Sequence, residues 1–234
     1  VQQTTSDDSE PIQSLFNAVD VLRFNALVRK VPVAEDLARY AVRLAAASRP
    51  HQEGTPDFIN EWKSGEKEVI TLRQLMNVQT ALELLDGGDL YNADDQLQIS
   101  IDRNLIGTPG EKLYSYSNSD VMLAGHVVEQ ASGTNLQEYL DSRIAGTIRF
   151  SGEWWNDDTG NTMAYCCLDS TPRDFARFGL LFSRNGVWED QQLIPSSWVS
   201  ESTTKALEGE YGFYWWPAGN NGYSALGVQG QIIS

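Results

Sequence analysis

Between Pro109 and Gly133 the chain reads PGEKLYSYSNSDVMLAGHVVEQASG, and no other stretch constrains the fold as strongly. Tyr116-Ser117-Asn118 leads directly into an apolar run. Asn is a favoured N-cap, so Asn118 is expected to open a helix over VMLAGHVVEQAS. Gly125 falls inside that helix and Gly133 closes it. His126 lies mid-helix, where a surface or packing role is expected.

Other helix signals lie upstream. Asp20 can cap DVLRFNALVRKV, with Leu22, Leu27 and Val28 at apolar spacing, and Pro32 breaks the run. AEDLARYAVRLAAAS then places Leu37, Tyr40, Ala41 and Leu44 on one face and ends before Pro50. The two segments predict an N-terminal helical hairpin. Further on, Thr71 with Gln74 three residues later has the form of a capping box at the head of a helix.

Composition narrows the function classes. The chain has 234 residues, enough for a real core, and is 41% hydrophobic, 10% aromatic and 21% charged, as in soluble globular proteins. A net charge of −15 argues against a nucleic-acid partner, which needs clustered Lys and Arg. No apolar run approaches the roughly 18 residues that cross a bilayer. No signal peptide opens the chain, and the compartment stays open between cytoplasm and periplasm. Cys166 and Cys167, the only cysteines, are neighbours. Adjacent cysteines rarely pair, since a disulfide usually wants Cα atoms about 4.4–6.8 Å apart. They are expected to be buried, small and apolar. Two thiols also fall short of a structural zinc site, so no metal and no cofactor is expected.

The stretch from Pro109 to Gly133 resembles the second active-site motif of the serine β-lactamase and penicillin-recognising hydrolases, and other segments extend the likeness. EVITLRQLMNVQTAL is similar to the segment that family writes as ITxRxLLxMxSGL. NTMAYCCLDSTPRDFARFGLLFSRNGVWEDQQLIPSSWV resembles its small-residue strand and Ser/Thr-x-x-Asp-x-Ala-Arg-Phe helix. YGFYWWPAGNNGYSALGVQGQ resembles the paired strands of its third motif. The resemblance spans about residues 63–234 and leans toward the esterase and 6-aminohexanoate-oligomer hydrolase branch. By contrast, DVLRFNALVRKVPVAEDLARYAVRLAAASRP…GTPDFINEW, within about residues 12–62, resembles the C-terminal lid of MoxR-family AAA+ ATPases. No GxxxxGK[ST] accompanies it, so this lid would not bind ATP by itself.

The resemblance implies site residues one by one. Tyr116 takes the place of a tyrosine that relays the nucleophile's proton to the leaving group, a role that needs a neighbouring lysine ammonium. Tyr114, nearby, stands too close to Pro109-Gly110 for the family register. Asn118 matches a residue that orients the lysine and the substrate, a role compatible with a cap. The third motif, Lys/His-Ser/Thr-Gly in penicillin binders, aligns with Ala225-Leu226-Gly227. Gly227 would allow close substrate approach and the Val228 N–H would serve the oxyanion hole. Losing the cation and hydroxyl argues against a true β-lactamase more than against a hydrolase of esters or linear amides. Trp154-Trp155 falls where relatives build one wall of the cleft, and one of the two is expected there. Trp188, Trp198, Trp215 and Trp216 are expected mostly in the core, with Phe175, Phe178 and Phe213.

The family's nucleophile is the serine of Ser-x-x-Lys, a few dozen residues upstream of the tyrosine. Ser64–Lys67 spells the motif but lies in a charged loop ahead of the Thr71 helix, and Ser202–Lys205 spells it at a polar segment end. Neither suits a buried helix start where the lysine is tuned against the serine. Gly222-Tyr223-Ser224-Ala225-Leu226-Gly227 misses the nucleophile-elbow spacing by one place. His51 and His126 do not suggest a histidine triad.

The expected fold class is therefore α+β: an N-terminal helical hairpin, then a partial β-lactamase-like fold with a helical region and an incomplete antiparallel sheet. Residues 1–62 would be the lid-like segment. Residues 63–234 would be a hydrolase fragment without its nucleophile helix and last strands. The leading functional expectation is a β-lactamase-related serine hydrolase, inactive as given, with a small-molecule ester or amide as the partner of an active form. The alternatives are a lid module for a MoxR-type ATPase and a hybrid chain with no evolved function. An incomplete sheet would expose apolar edges, so self-association is expected.

Overall fold

The computed structural model describes residues 66–85, 87–111, 115–204, 211–218 and 222–234. The expected hairpin and lid-like segment, His51, Ser64, Tyr114 and Lys205 lie outside the described residues.

The helical region starts with a 3₁₀ turn over Glu66–Val69 and α1, Leu72–Met76. The Thr71 capping box forms as expected. The Thr71 hydroxyl accepts from the Gln74 N–H at 3.3 Å, and Gln74 Oε1 accepts from the Thr71 N–H at 2.7 Å. Helix α2, Gly87–Tyr91, is followed by α3, Gln96–Asp102, whose first turn Asp95 caps through the Gln98 N–H at 2.8 Å. Helix α4 runs over Asn118–Ser132. Its cap is Ser117, not Asn118. Ser117 holds the extended backbone a cap needs (φ −142°, ψ 108°) and its hydroxyl accepts from the Asp120 N–H, while Asn118 is already the first helical residue. Gly133 ends α4 in the left-handed region at φ 72°, its N–H donating to the Glu129 carbonyl. Gly125 is needed for packing, because a Cβ there would run into Ala164 and Leu136.

These helices share one apolar core. Leu75, Leu97, Ile101, Met122, Leu123 and Val127 are buried together, with Tyr165 and Tyr214 against them. Beyond α4 come α5 (Leu136–Leu140), a π-helical turn over Asp141–Ala145 and α6 (Gly146–Ile148). Strands β1, Gly152–Trp154, and β2, Leu168–Ser170, pair antiparallel with Trp154 opposite Leu168.

Helix α7, Pro172–Ser183, carries the Thr-x-x-Asp-x-Ala-Arg-Phe pattern. Thr171 caps it, Pro172 sits where a missing N–H costs nothing, and the Thr171 hydroxyl donates to Asp174 at 2.6 Å. Its apolar face joins two further clusters, with Leu181 packed on Ile148 and Phe150, and Phe182 on Val199 and Trp215. The short hairpin β3 (Val187–Trp188) and β4 (Gln191–Gln192) leads to α8, Ser196–Ser202. A three-stranded antiparallel sheet follows, ordered β5 (Trp216–Pro217), β6 (Tyr223–Leu226), β7 (Ile232–Ile233). It packs on α7 through Ile233, which would meet a Cβ at Gly179. Trp215 is core as expected, against Phe182 at 4.6 Å and Tyr223 at 5.1 Å. Among the described residues no helix is long and apolar enough to cross a membrane.

The reading of the two cysteines is corrected. Cys166 and Cys167 are joined in a vicinal disulfide and are half-buried. Their Cα atoms are 3.7 Å apart, below the usual range. Cys167 adopts φ +63°, a left-handed conformation uncommon for a residue with a Cβ.

Candidate functional site

The Tyr116-Ser117-Asn118 corner sits where an extended strand of chain turns into α4, and a buried polar network holds it there. Arg103 and Asp120 are each 1% exposed and meet at 2.8 Å. The Arg103 guanidinium also donates to the Ser117 hydroxyl at 3.1 Å and, through Nε, to the Ser100 carbonyl at 3.0 Å. The second Asp120 oxygen accepts from the Thr80 hydroxyl at 2.9 Å. Three segments, those of Thr80, Ser100 to Arg103 and Ser117 to Asp120, are thus tied together at the corner. Burial pushes the Asp120 carboxyl up, and the Arg103, Thr80 and Ser117 donors pull it back.

Tyr116 is half-exposed and Asn118 half-buried. The Asn118 amide donates to the Tyr91 hydroxyl at 3.4 Å, a long contact. The Tyr91 ring meets Tyr165 edge-on at 5.6 Å, and the Tyr165 hydroxyl donates to Gln96 Oε1 at 2.7 Å. Burial first, then Tyr91, raises the Tyr116 phenol above its ordinary value. That direction is opposite to what a phenolate base needs. The Tyr165 phenol is pushed up to about 12, mainly by burial.

Of the third-motif residues, Ala225 and Leu226 end β6 and Gly227 opens the turn after it. The Gly227 N–H donates to the Gln231 carbonyl at 2.7 Å, Gly230 to Gly227 at 3.0 Å and Gln229 to Gln231 Oε1 at 3.1 Å. Among the described residues the Val228 N–H takes no part in these bonds, and Val228 is fully exposed. Gln231 lies over Gly227, within 2.5 Å of where a Cβ would stand. Ala225 packs inward, while Leu226 is exposed. Aromatic rings link this sheet to the corner. Tyr116 meets Tyr211 at 6.3 Å, and Tyr211 meets Trp216 of β5 at 5.0 Å, opposite Ser224 of β6.

The expected wall residues behave differently. The Trp154 N–H donates to Gln137 Oε1 from within β1 at 3.0 Å, and its side chain is half-buried. Trp155 is the exposed one, with its indole N–H on Asp169 at 2.9 Å and its backbone N–H on the Cys167 carbonyl at 3.0 Å. As for the two Ser-x-x-Lys matches, the Lys67 ammonium donates to the Ile101 carbonyl at 2.9 Å. The buried Ser202 hydroxyl donates to the Val199 carbonyl of its own helix at 3.2 Å. Among the described residues no cluster of His, Cys, Asp and Glu suits a metal.

A model of the family described as Beta-lactamase matches residues 33–233. The chain belongs to the β-lactamase family. Among solved structures, the fold is similar to a Bacillus anthracis protein assigned as a 6-aminohexanoate-dimer hydrolase. Their TM-score is 0.67 and their identity 25%, over 83% of this chain and 60% of that one. A penicillin-binding protein from Bacillus halodurans shares the fold at TM-score 0.55 and 17% identity, over 83% of this chain and 74% of that one. A Bacteroides dorei protein assigned as a β-lactamase does so at TM-score 0.52 and 22% identity, over 70% of this chain and 53% of that one. The chain thus spans less than two thirds of the first and last of these proteins. No curated protein sequence matches it.

Sequence reasoning singled out Tyr116 and Asn118 but not the residues that surround them. Asp120, as an acid in the first turn of a helix, carried a weak local signal. Tyr91, Arg103, Thr80, Tyr211 and Trp216 carried none, because each reaches the corner only through the fold.

Proposed function

We propose that this β-lactamase-family chain carries the substrate site of a serine hydrolase acting on esters or linear amides through an acyl-enzyme. We further propose that the chain as it stands does not turn substrate over. In this reading Tyr116 occupies the proton-relay position and Asn118 orients the substrate. The Val228 N–H is the oxyanion donor, Gly227 gives access beside it, and Trp154 with Trp155 forms a wall. Ala225 and Leu226, standing where a cation and hydroxyl would hold a β-lactam carboxylate, favour uncharged ester or amide substrates. The likeness to the protein assigned as a 6-aminohexanoate-dimer hydrolase supports a linear amide as the substrate.

One observation carries the reading: the Tyr116-Ser117-Asn118 corner is anchored through Ser117 while Tyr116 keeps an exposed face. The Tyr116 environment supports the proposed lack of turnover. Burial raises the phenol, which disfavours the phenolate that could take a serine's proton. The Lys67 ammonium and the Ser202 hydroxyl each donate to a backbone carbonyl.

The test is intact mass after incubation with a fluorescent penicillin and an activated fluorophosphonate, on a chain shown by circular dichroism to be folded. No covalent adduct is expected. A single adduct, or turnover at enzyme-like rates that is lost in Tyr116→Phe, refutes the inactive state.

A further inference from the structure

The Cys166–Cys167 bond lies on the segment that feeds β2, directly behind the exposed Trp155. Three connections tie the pair to that tryptophan. The Cys167 carbonyl accepts the Trp155 N–H at 3.0 Å, and the Met163 N–H donates to the Trp155 carbonyl at 3.0 Å. Asp169, two residues past Cys167, accepts the Trp155 indole N–H at 2.9 Å. On the other side, the Cys166 N–H donates to the Met163 carbonyl at 3.2 Å. The loop is thus a closed circuit in which the backbone of Cys167 sets the position of Trp155.

We infer that Cys166 and Cys167 form a reversible thiol–disulfide switch that moves the Trp155 wall. A disulfide gains stability from folding mainly by closing a long loop of the unfolded chain, and a pair one residue apart closes almost none. Both cysteines are half-buried rather than sealed in the core, so a small reductant can reach them. Cys167 holds φ +63°, a left-handed conformation that a residue with a Cβ adopts uncommonly. Opening the ring frees that residue to return to an ordinary conformation. Its carbonyl then turns away from the Trp155 N–H.

The redox step balances with a dithiol reductant. One thiolate of the dithiol attacks a cysteine sulfur, forming a mixed disulfide and releasing the other sulfur as a thiolate. The second thiol of the reductant then displaces the remaining protein sulfur. Two electrons pass to the chain, Cys166 and Cys167 each take up a proton, and the reductant leaves as a cyclic disulfide.

The switch itself needs no substrate. Its link to substrate binding rests on the reading of Trp154 and Trp155 as a cleft wall. Both points are separable in one experiment. The folded, substrate-free chain is equilibrated across ratios of reduced to oxidised dithiothreitol. At each ratio, alkylation and intact mass count the thiols while tryptophan emission is recorded. The expected result is a two-electron transition, with two alkylated cysteines at the reduced end, none at the oxidised end, and emission shifting in step. Trp155→Phe should keep the thiol transition and lose most of the emission shift. Cys167→Gly, which tolerates the left-handed backbone, should lose both. Two free thiols at the oxidised end overturn the inference. So does a flat emission across a complete thiol transition. The penicillin and fluorophosphonate adducts are indifferent to either outcome, so a failed switch and a failed hydrolase site are told apart.

Discussion

Removing Asp120 should strongly destabilise the helical region, because it deprives the buried Arg103 of the carboxylate it meets at 2.8 Å. Both side chains are 1% exposed, and Asp120 also accepts from Thr80 on the segment after α1. Breaking a buried ion pair by deleting one partner costs about 3–5 kcal/mol, since an uncompensated charge remains. The stranded Thr80 hydroxyl adds about 1 kcal/mol or more. Domains are stable by about 5–15 kcal/mol in total, so Asp120→Ala should lose about a quarter or more of the whole. Arg103→Met with Asp120→Leu removes both charges, and its loss should be far smaller than the sum of the single variants. The assay is urea unfolding followed by circular dichroism, with midpoint and slope both reported. A loss below about 1 kcal/mol for Asp120→Ala would refute the argument. So would strict additivity of the two single substitutions, because additive effects would mean the side chains do not support each other.

Two further outcomes follow from other groups. Asp157 and Glu129 are pushed up by burial but held below their ordinary values by more numerous donors. These are Asn161, Gln96 and Thr159 for Asp157, and His126, Thr162 and the Leu136 N–H for Glu129. A lowered folded value means stability present above the unfolded values, 3.8 and 4.5, and lost as pH falls through the folded ones. Melting temperature should therefore fall steeply below about pH 4, and less steeply in Asp157→Asn. An identical acid limb in the variant would count against it. The Tyr214 hydroxyl is buried and, among the described residues, has no hydrogen-bond partner. Tyr214→Phe removes that polar atom and keeps the ring, so it should be neutral or stabilise by up to about 1–3 kcal/mol. A clear loss in urea unfolding would show that the hydroxyl is satisfied in solution.

What the sequence alone determined is local. The Thr71–Gln74 box, the Gly133 stop and the Thr171 cap ahead of α7 are set by residues three or four positions apart, and each forms as its residue types require. The family likeness over the hydrolase-like segments was legible for the same reason, since motifs are short and contiguous. The cap of α4 shows the limit even there, because Ser117 and Asn118 are both good caps and only the backbone path selects the serine. Tertiary structure decided everything that crosses the chain. Arg103 and Asp120 stand 17 positions apart and Thr80 and Asp120 stand 40 apart, so nothing local marks them as partners. The aromatic bridge from Tyr116 through Tyr211 to Trp216 exists only because the sheet packs beside the helices. The cysteine pair is the converse case: its neighbours in sequence argued against a bond, and the left-handed turn at Cys167 permitted one. Local propensity is fixed by adjacent residues, whereas burial and charge pairing depend on which distant segments the core brings together.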